Sequence, residues 1–145
     1  MLARLARPST AAALLVLLAV GCRRPEGPAD RYRVFAAAAR AGDADTVWSM
    51  LSERSRAMLD ERAKEVAARA APGVLPSSGR ELVLGDLAPR AGRIAQVTVL
   101  RESRDAALVA VQLEGASGKE EVQMVREDGR WRVVLPGASD RSAGR

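Results

Sequence analysis

The spacing of apolar residues changes near residue 93, and this change limits the folds open to the chain. Before it, apolar side chains recur every three or four residues, as on one face of an α-helix; after it, they alternate with polar ones, as in half-buried β-strands. The loop 71–80, rich in Pro, Gly and Ser, comes shortly before the change. This order predicts an α+β domain with helices first and strands afterwards, and not alternating βαβ units.

Three helices are predicted in the first half of the chain. The first would begin at an N-cap Asp30 and end at a C-cap Gly42. Its apolar face would consist of four residues: Tyr32, Phe35, Ala36 and Ala39. Asp43 restarts a helix, and Ser52 caps a third that runs to about Ala70. Residues 81–87 are predicted to form a short strand or an edge segment.

Four strands are predicted in the second half, at about 93–101, 105–114, 119–127 and 130–135. Asp128-Gly129 is typical of a two-residue hairpin turn, because both positions of that turn favour positive φ. Such a turn would place Arg126 opposite Trp131 and Met124 opposite Val133. The apolar residues of the two strands would then share one face, as burial of a single face requires.

These patterns predict N-terminal helices packed on a curved antiparallel sheet of about four strands. The segment from Phe35 to Ser52, with its Gly-Asp break, resembles the opening of the cystatin-like and nuclear-transport-factor-2-like domains. The segment from Gly129 to Val134 resembles their last strand. The resemblance covers roughly 31–136 and implies a cone-shaped fold that often holds a small ligand between sheet and helices.

Residues 1–21 have the organisation of an export signal. Arg4 and Arg7 form a positive start, an unbroken apolar run of ten residues follows over 11–20, and charge returns directly after Cys22. That run is shorter than the roughly 20 residues that a membrane-spanning helix needs. The interpretation as an ordinary secretory signal with a chance cysteine stays open.

Residues 18–22 (LAVGC) resemble the lipobox of bacterial lipoproteins, although Ala19 stands where that family more often has Leu. The resemblance implies cleavage before Cys22 and attachment of lipid to its sulfur, so that the chain is held on a membrane of the cell envelope. Arg23 is not the Asp that signals inner-membrane retention, which implies the outer membrane if the organism has one. The chain would then divide into a signal peptide (1–21), a flexible tether (22–30), the α+β domain (31–136) and a disordered tail (137–145).

Composition excludes several kinds of chemistry. The chain has no histidine and one cysteine, so it has neither a Ser-His-Asp triad nor a Cys-His pair, and zinc, copper or haem sites are not expected. No cofactor is predicted. The formal charge of +5 is scattered, without a basic cluster interleaved with aromatic residues, so nucleic acid is not an expected partner.

The candidate pocket-lining residues are Trp48, Trp131 and Met124, although core packing is the favoured interpretation of the two tryptophans in a domain with so few aromatic residues. Arg126 could form a cation–π contact with Trp131. Asp43 and Asp45 are interpreted as helix-capping residues rather than calcium ligands, because the other ligands of a calcium loop are missing. Asp86 is interpreted as a turn residue rather than a catalytic acid.

The leading hypothesis is a membrane-anchored, non-enzymatic domain that binds a small apolar ligand or an envelope protein. One alternative is a small isomerase or cyclase that uses an acidic residue in an apolar cavity. Another is a structural accessory subunit of an envelope complex. The sequence does not predict an oligomeric state.

Overall fold

The computed structural model describes residues 26–69, 78–87 and 92–138. The predicted signal peptide, Cys22 and residues 139–145 of the predicted tail lie outside these ranges. Four helices precede four strands in the described part of the chain: α1 (Pro28–Ala41), α2 (Ala44–Met50), α3 (Glu53–Ala67), α4 (Gly79–Leu87), β1 (Ile94–Glu102), β2 (Ala106–Leu113), β3 (Lys119–Glu127) and β4 (Arg130–Val134). The predicted α+β class is confirmed.

The four strands form one curved antiparallel sheet in the order β1-β2-β3-β4. Each predicted strand agrees with the structure to within one residue at either end. The β3–β4 turn is the predicted hairpin: Asp128 has φ 51° and Gly129 has φ 74°. Arg126 pairs with Trp131 and Met124 with Val133, which confirms the predicted register.

The helices cover one face of the sheet, and the core lies between the two layers. From the sheet, Val109, Met124 and Val133 are at most 2% exposed. From the helices, Val47 and Leu59 meet them in the same cluster. A side chain's position on the strand therefore decides its environment, because alternate residues point toward the helices or away from them.

The start of α1 differs from the sequence prediction. Helix α1 begins at Pro28, with Gly27 as its N-cap, inside the segment 22–30 that was predicted to be a tether. Proline suits the first helical position because it has no N–H to leave unpaired and its φ is already helical. The prediction of Asp30 as the N-cap is therefore wrong. Asp30 lies in the first turn, where its charge favours the helix dipole and pairs with Arg33 at 2.7 Å.

The predicted strand or edge segment at residues 81–87 is also wrong, because these residues belong to α4. Val83 is fully buried, and Leu84 and Leu87 pack against the core from the same helix. Ser78 caps the first turn, since its Oγ accepts the Glu81 N–H at 3.4 Å and its carbonyl accepts the Leu82 N–H at 3.2 Å. A run of three apolar residues fits either a strand or a short helix, and packing against α3 decides between them.

Helices α3 and α4 come unusually close where α4 begins. The Gly79 N–H donates to Oδ1 of Asp60 at 2.9 Å. A Cβ at Gly79 would lie 2.7 Å from the backbone nitrogen of Asp60. Glycine therefore permits the contact through its missing side chain.

A buried serine pair joins α3 to the outer edge of β4. Ser52 is the predicted N-cap of α3, and its Oγ accepts the Ser55 N–H at 3.2 Å. The Ser55 Oγ in turn accepts the Leu135 N–H at 2.9 Å. Both serines are at most 1% exposed, so these bonds satisfy polar groups that water does not reach.

Candidate functional site

A cavity of about 340 Å³ lies between α1, the end of α4 and the region where β4 stops. Its α1 wall is the apolar face that the sequence predicted, made by four residues: Tyr32, Phe35, Ala36 and Ala39. The rings of Tyr32 and Phe35 meet with their centroids 5.9 Å apart. Leu87 of α4 completes this side.

The cavity exists because β4 is shorter than β3. Strand β4 pairs with β3 only over residues 123–127, whereas β2 pairs with β3 over residues 119–125. Beyond Val134 the chain leaves the sheet, with the Leu135 N–H bound to Ser55 and with Pro136 unable to donate to a ladder. Residues 120–123 of β3 consequently border the cavity without a β4 neighbour for most of their length.

Tyr32 and Glu120 are two polar residues that line the cavity and interact electrostatically with each other. Glu120 lies opposite Val111, so it belongs to the same face of the sheet as Val122 and Met124, which faces the helices. The pKa of Tyr32 is raised above its ordinary 10.0, mainly because burial disfavours the phenolate and also because Glu120 is negatively charged. At neutral pH the Tyr32 hydroxyl is therefore protonated and able both to donate and to accept a hydrogen bond.

The charges on the cavity lining are opposite in sign to that of the whole chain. Glu120 and Glu121 both line the cavity and are both exposed, so they lie at its mouth. Among the residues that the structure describes, the lining contains neither Lys nor Arg, although the chain has a formal charge of +5. The rest of the lining is mostly apolar, so the site combines an apolar interior with an acidic mouth.

The three sequence-predicted pocket residues lie elsewhere in the domain. Trp131 and Met124 are 2% and 1% exposed within the core, and Trp48 is half-buried against it. None of the three lines the 340 Å³ cavity. Met124 instead borders a wider groove of about 680 Å³ beside the β1–β2 hairpin.

The predicted cation–π contact is present, with the Arg126 guanidinium carbon 4.9 Å from the centroid of the Trp131 ring. It lies next to the hairpin turn, and Arg126 does not line the cavity. It therefore belongs to the hairpin and not to the candidate site.

Two acidic residues near α2, Asp43 and Asp45, have structural roles. Asp43 caps α2 by accepting the Thr46 N–H at 3.0 Å. Hydrogen bonds from Thr46 lower the pKa of Asp43. Asp45 forms an ion pair with Arg80 of α4. Asp86 lies within α4 and not in a turn, which corrects its sequence interpretation.

Within the described ranges, no three His, Cys, Asp or Glu residues are grouped so that they could hold a metal ion. None of the helices in those ranges combines the length and the hydropathy needed to cross a membrane. The chemistry that the described lining offers is apolar contact, the phenol of Tyr32, the amide of Gln123 and two carboxylates.

Sequence reasoning missed both Tyr32 and Glu120 as site residues. The sequence pattern placed Tyr32 on the apolar face of α1 but assigned it no role in a site, and this face lines the cavity. Glu120 precedes Val122 by two residues, and strand alternation puts both on the inner face. The sequence signal for Glu120 was therefore a carboxylate at a strand position whose alternating partners face the core.

The chain matches no protein-family model. Comparison with curated proteins gives no significant match. Among solved structures, the chain is similar to a Campylobacter jejuni protein provisionally named an NTF2-like transpeptidase. The two are 21% identical with a TM-score of 0.45, and the match covers 76% of this chain and 99% of the other. Likeness at this level says nothing about the activity of this chain.

Proposed function

We propose that this chain is a lipid-anchored envelope protein whose α+β domain binds a small, largely apolar ligand without catalysing a reaction on it. The observation that carries the proposal is the 340 Å³ cavity between helices and sheet. Cavities of roughly 300–1,000 Å³ with mostly apolar walls and a few polar groups are typical of small-molecule sites. The cavity favours a small ligand over an envelope protein as the partner.

Binding is favoured over catalysis by the position of the carboxylates. An acid that acts in an apolar cavity normally owes its reactivity to burial. Glu120 and Glu121 are both exposed at the mouth instead. Burial raises the pKa of Tyr32 further above neutral pH than its ordinary 10.0, so the hydroxyl stays protonated and would orient a ligand by hydrogen bonding rather than act as a base.

The proposed anchor is Cys22, and its distance along the chain limits where the domain would lie. Helix α1 begins at Pro28, six residues after Cys22. Six residues span at most about 20 Å when fully extended. A lipid on Cys22 would therefore hold the domain close to the membrane surface, and the absence of Asp after the cysteine favours the outer membrane.

The cavity is tested with a neutral fluorescent probe, N-phenyl-1-naphthylamine, whose emission rises in apolar surroundings. Ala36 lines the cavity, whereas its neighbour Ala37 is exposed on the same helix. We expect Ala36→Phe to weaken binding about tenfold or more, the equivalent of about 1.4 kcal/mol, because the ring occupies the site. Ala37→Phe is the matched control and should bind as the wild-type protein does.

Circular dichroism of both variants shows whether they are folded. Failure of the wild-type protein to bind the probe would overturn the proposed function. Equal binding by folded Ala36→Phe and Ala37→Phe would do the same, because the probe would then bind elsewhere.

A further inference from the structure

The acidic mouth of the cavity is a local feature of a positively charged protein. Glu120 and Glu121 are the charged residues of the lining. Neither forms an ion pair or a side-chain hydrogen bond with another described residue. Two solvated carboxylates therefore stand at the opening, and neither forms an ion pair with a Lys or Arg that the structure describes.

The ending of β4 gives both carboxylates access to the same opening. Glu120 pairs with Val111 and Glu121 with Ala110, so the two side chains start from opposite faces of β3. In a strand paired on both sides, such neighbours would be separated by the sheet. Here β4 pairs only from Gln123 onward, and both residues border the cavity around the free edge.

The interior offers contacts that an apolar body and a cation would both use. Phe35 and Leu135 are buried and line the cavity. The Tyr32 ring lies in the same wall, and its hydroxyl has no hydrogen-bond partner among the described residues. Aromatic faces attract cations, and carboxylates accept charge-assisted hydrogen bonds from ammonium groups.

We infer that the ligand of this cavity is an amphipathic cation, an apolar body that carries a protonated amine. The inference rests on the proposed function and specifies its ligand class. The apolar body lies against α1 and Leu135, and the ammonium group lies at the mouth between Glu120, Glu121 and the Tyr32 ring. An anion of the same shape meets two carboxylates and finds no Lys or Arg among the described lining residues.

The test uses three probes that share one apolar body: 3-phenylpropylamine, 3-phenylpropan-1-ol and 3-phenylpropanoate. Their dissociation constants are measured by calorimetry at low and at high salt. We expect the amine to bind about tenfold more tightly than the alcohol at low salt, and the carboxylate to bind most weakly. The preference for the amine should shrink at high salt, because the carboxylates at the mouth are exposed and screened.

The double variant Glu120→Gln/Glu121→Gln keeps the shape of the mouth and removes its charge. It should bind the amine and the alcohol about equally, with the affinity for the alcohol unchanged. Glu114→Gln is the control for loss of a carboxylate, because Glu114 is exposed and does not line the cavity. It should keep the wild-type preference.

Four results would overturn the inference. If the wild-type protein binds the amine and the alcohol equally, or if the double variant keeps the preference for the amine, the carboxylates do not select the ligand. In either case, binding of N-phenyl-1-naphthylamine would show that the proposed function still stands. If that neutral probe binds and the amine does not, the inference fails alone. If neither the neutral probe nor any of the three compounds binds, the proposed function fails with it.

Discussion

Trp131 is the aromatic side chain most completely removed from solvent, at 2% exposure. Its indole N–H is buried without a hydrogen-bond partner among the described residues, so the unpaired donor offsets part of the free energy gained by burying the ring. We expect Trp131→Ala to lower the free energy of unfolding by about 3–5 kcal/mol, measured by urea denaturation, because it leaves a cavity in the core.

Two comparisons sharpen that prediction at the same scale. Trp131→Phe keeps most of the packing and removes the unpaired donor, so it should cost clearly less than Trp131→Ala. Trp48→Ala should also cost less, because Trp48 is only half-buried. Unfolding curves for Trp131→Ala and the wild-type protein that coincide would show that the ring does not support the core.

Tyr32 can be followed directly, because it is the chain's single tyrosine. Burial, and secondarily the charge of Glu120, raise its pKa above 10.0. Absorbance at 295 nm, which reports the phenolate, should therefore rise at higher pH in the folded protein than in the urea-unfolded one. Glu120→Gln should move the folded-state midpoint down only partly, because burial is the larger cause. Coincident titrations of folded and unfolded protein would contradict this account of the site.

The raised pKa of Tyr32 also predicts how the free energy of unfolding changes with pH. A tyrosine whose pKa is higher when folded favours the folded state while it is protonated. That contribution is fully present below the unfolded pKa near 10 and is lost as the pH rises through the folded value. Tyr32→Phe should therefore lose less stability than the wild-type protein between pH 9 and the most alkaline condition at which both still fold.

At the scale of elements, α4 contains two glycines with opposite requirements. A Cβ at Gly79 would meet the Asp60 backbone at 2.7 Å, whereas a Cβ at Gly85 would have open space within 4 Å. Gly79→Ala should therefore destabilise the domain by about 1–3 kcal/mol through overpacking. Gly85→Ala should stabilise it by about 0.5–1 kcal/mol, because glycine is the poorer helix former.

Thermal unfolding of the two variants provides the measurement, and each serves as the control for the other. The two variants also test whether residues 79–87 form a helix. If residues 81–87 formed a strand, as the sequence predicted, the two substitutions would not be expected to change stability in opposite directions. Equal effects of the two substitutions would argue against the close α3–α4 contact.

The strands could be predicted because residues close together in the sequence determine them. Alternation fixes the face of each residue, and Asp128-Gly129 fixes the register of β3 with β4. Helix α4 was not predictable on the same terms, because Leu82, Val83 and Leu84 are consecutive and show no period of their own. Its helical state depends on contacts with α3 that are distant in sequence, such as Gly79 with Asp60.

The candidate site shows the same division at the scale of the whole molecule. The apolar face of α1 followed from helical spacing, and it does line the cavity. Spacing predicted the end of β4 to within one residue, but it does not contain the path that the chain takes after Val134. The chain leaves the sheet there because Ser55 accepts the Leu135 N–H, an interaction across 80 residues. Without that ending, Glu120 and Tyr32 have no common cavity to line.

Attachment to a membrane is the prediction that concerns the molecule as a whole. If Cys22 carries lipid, two or more acyl chains give stable anchoring, because each buried methylene contributes about 0.8 kcal/mol. Cys22→Ser removes the sulfur and nothing in the described domain, so the fold and the binding of N-phenyl-1-naphthylamine should persist. The variant should move from the membrane fraction to the soluble fraction, whereas the wild-type protein should partition into detergent. A Cys22→Ser protein that stays in the membrane fraction and resists extraction by high salt would exclude Cys22 as the anchor. The six residues between the proposed anchor and α1 would then no longer explain why the cavity should lie near the membrane surface.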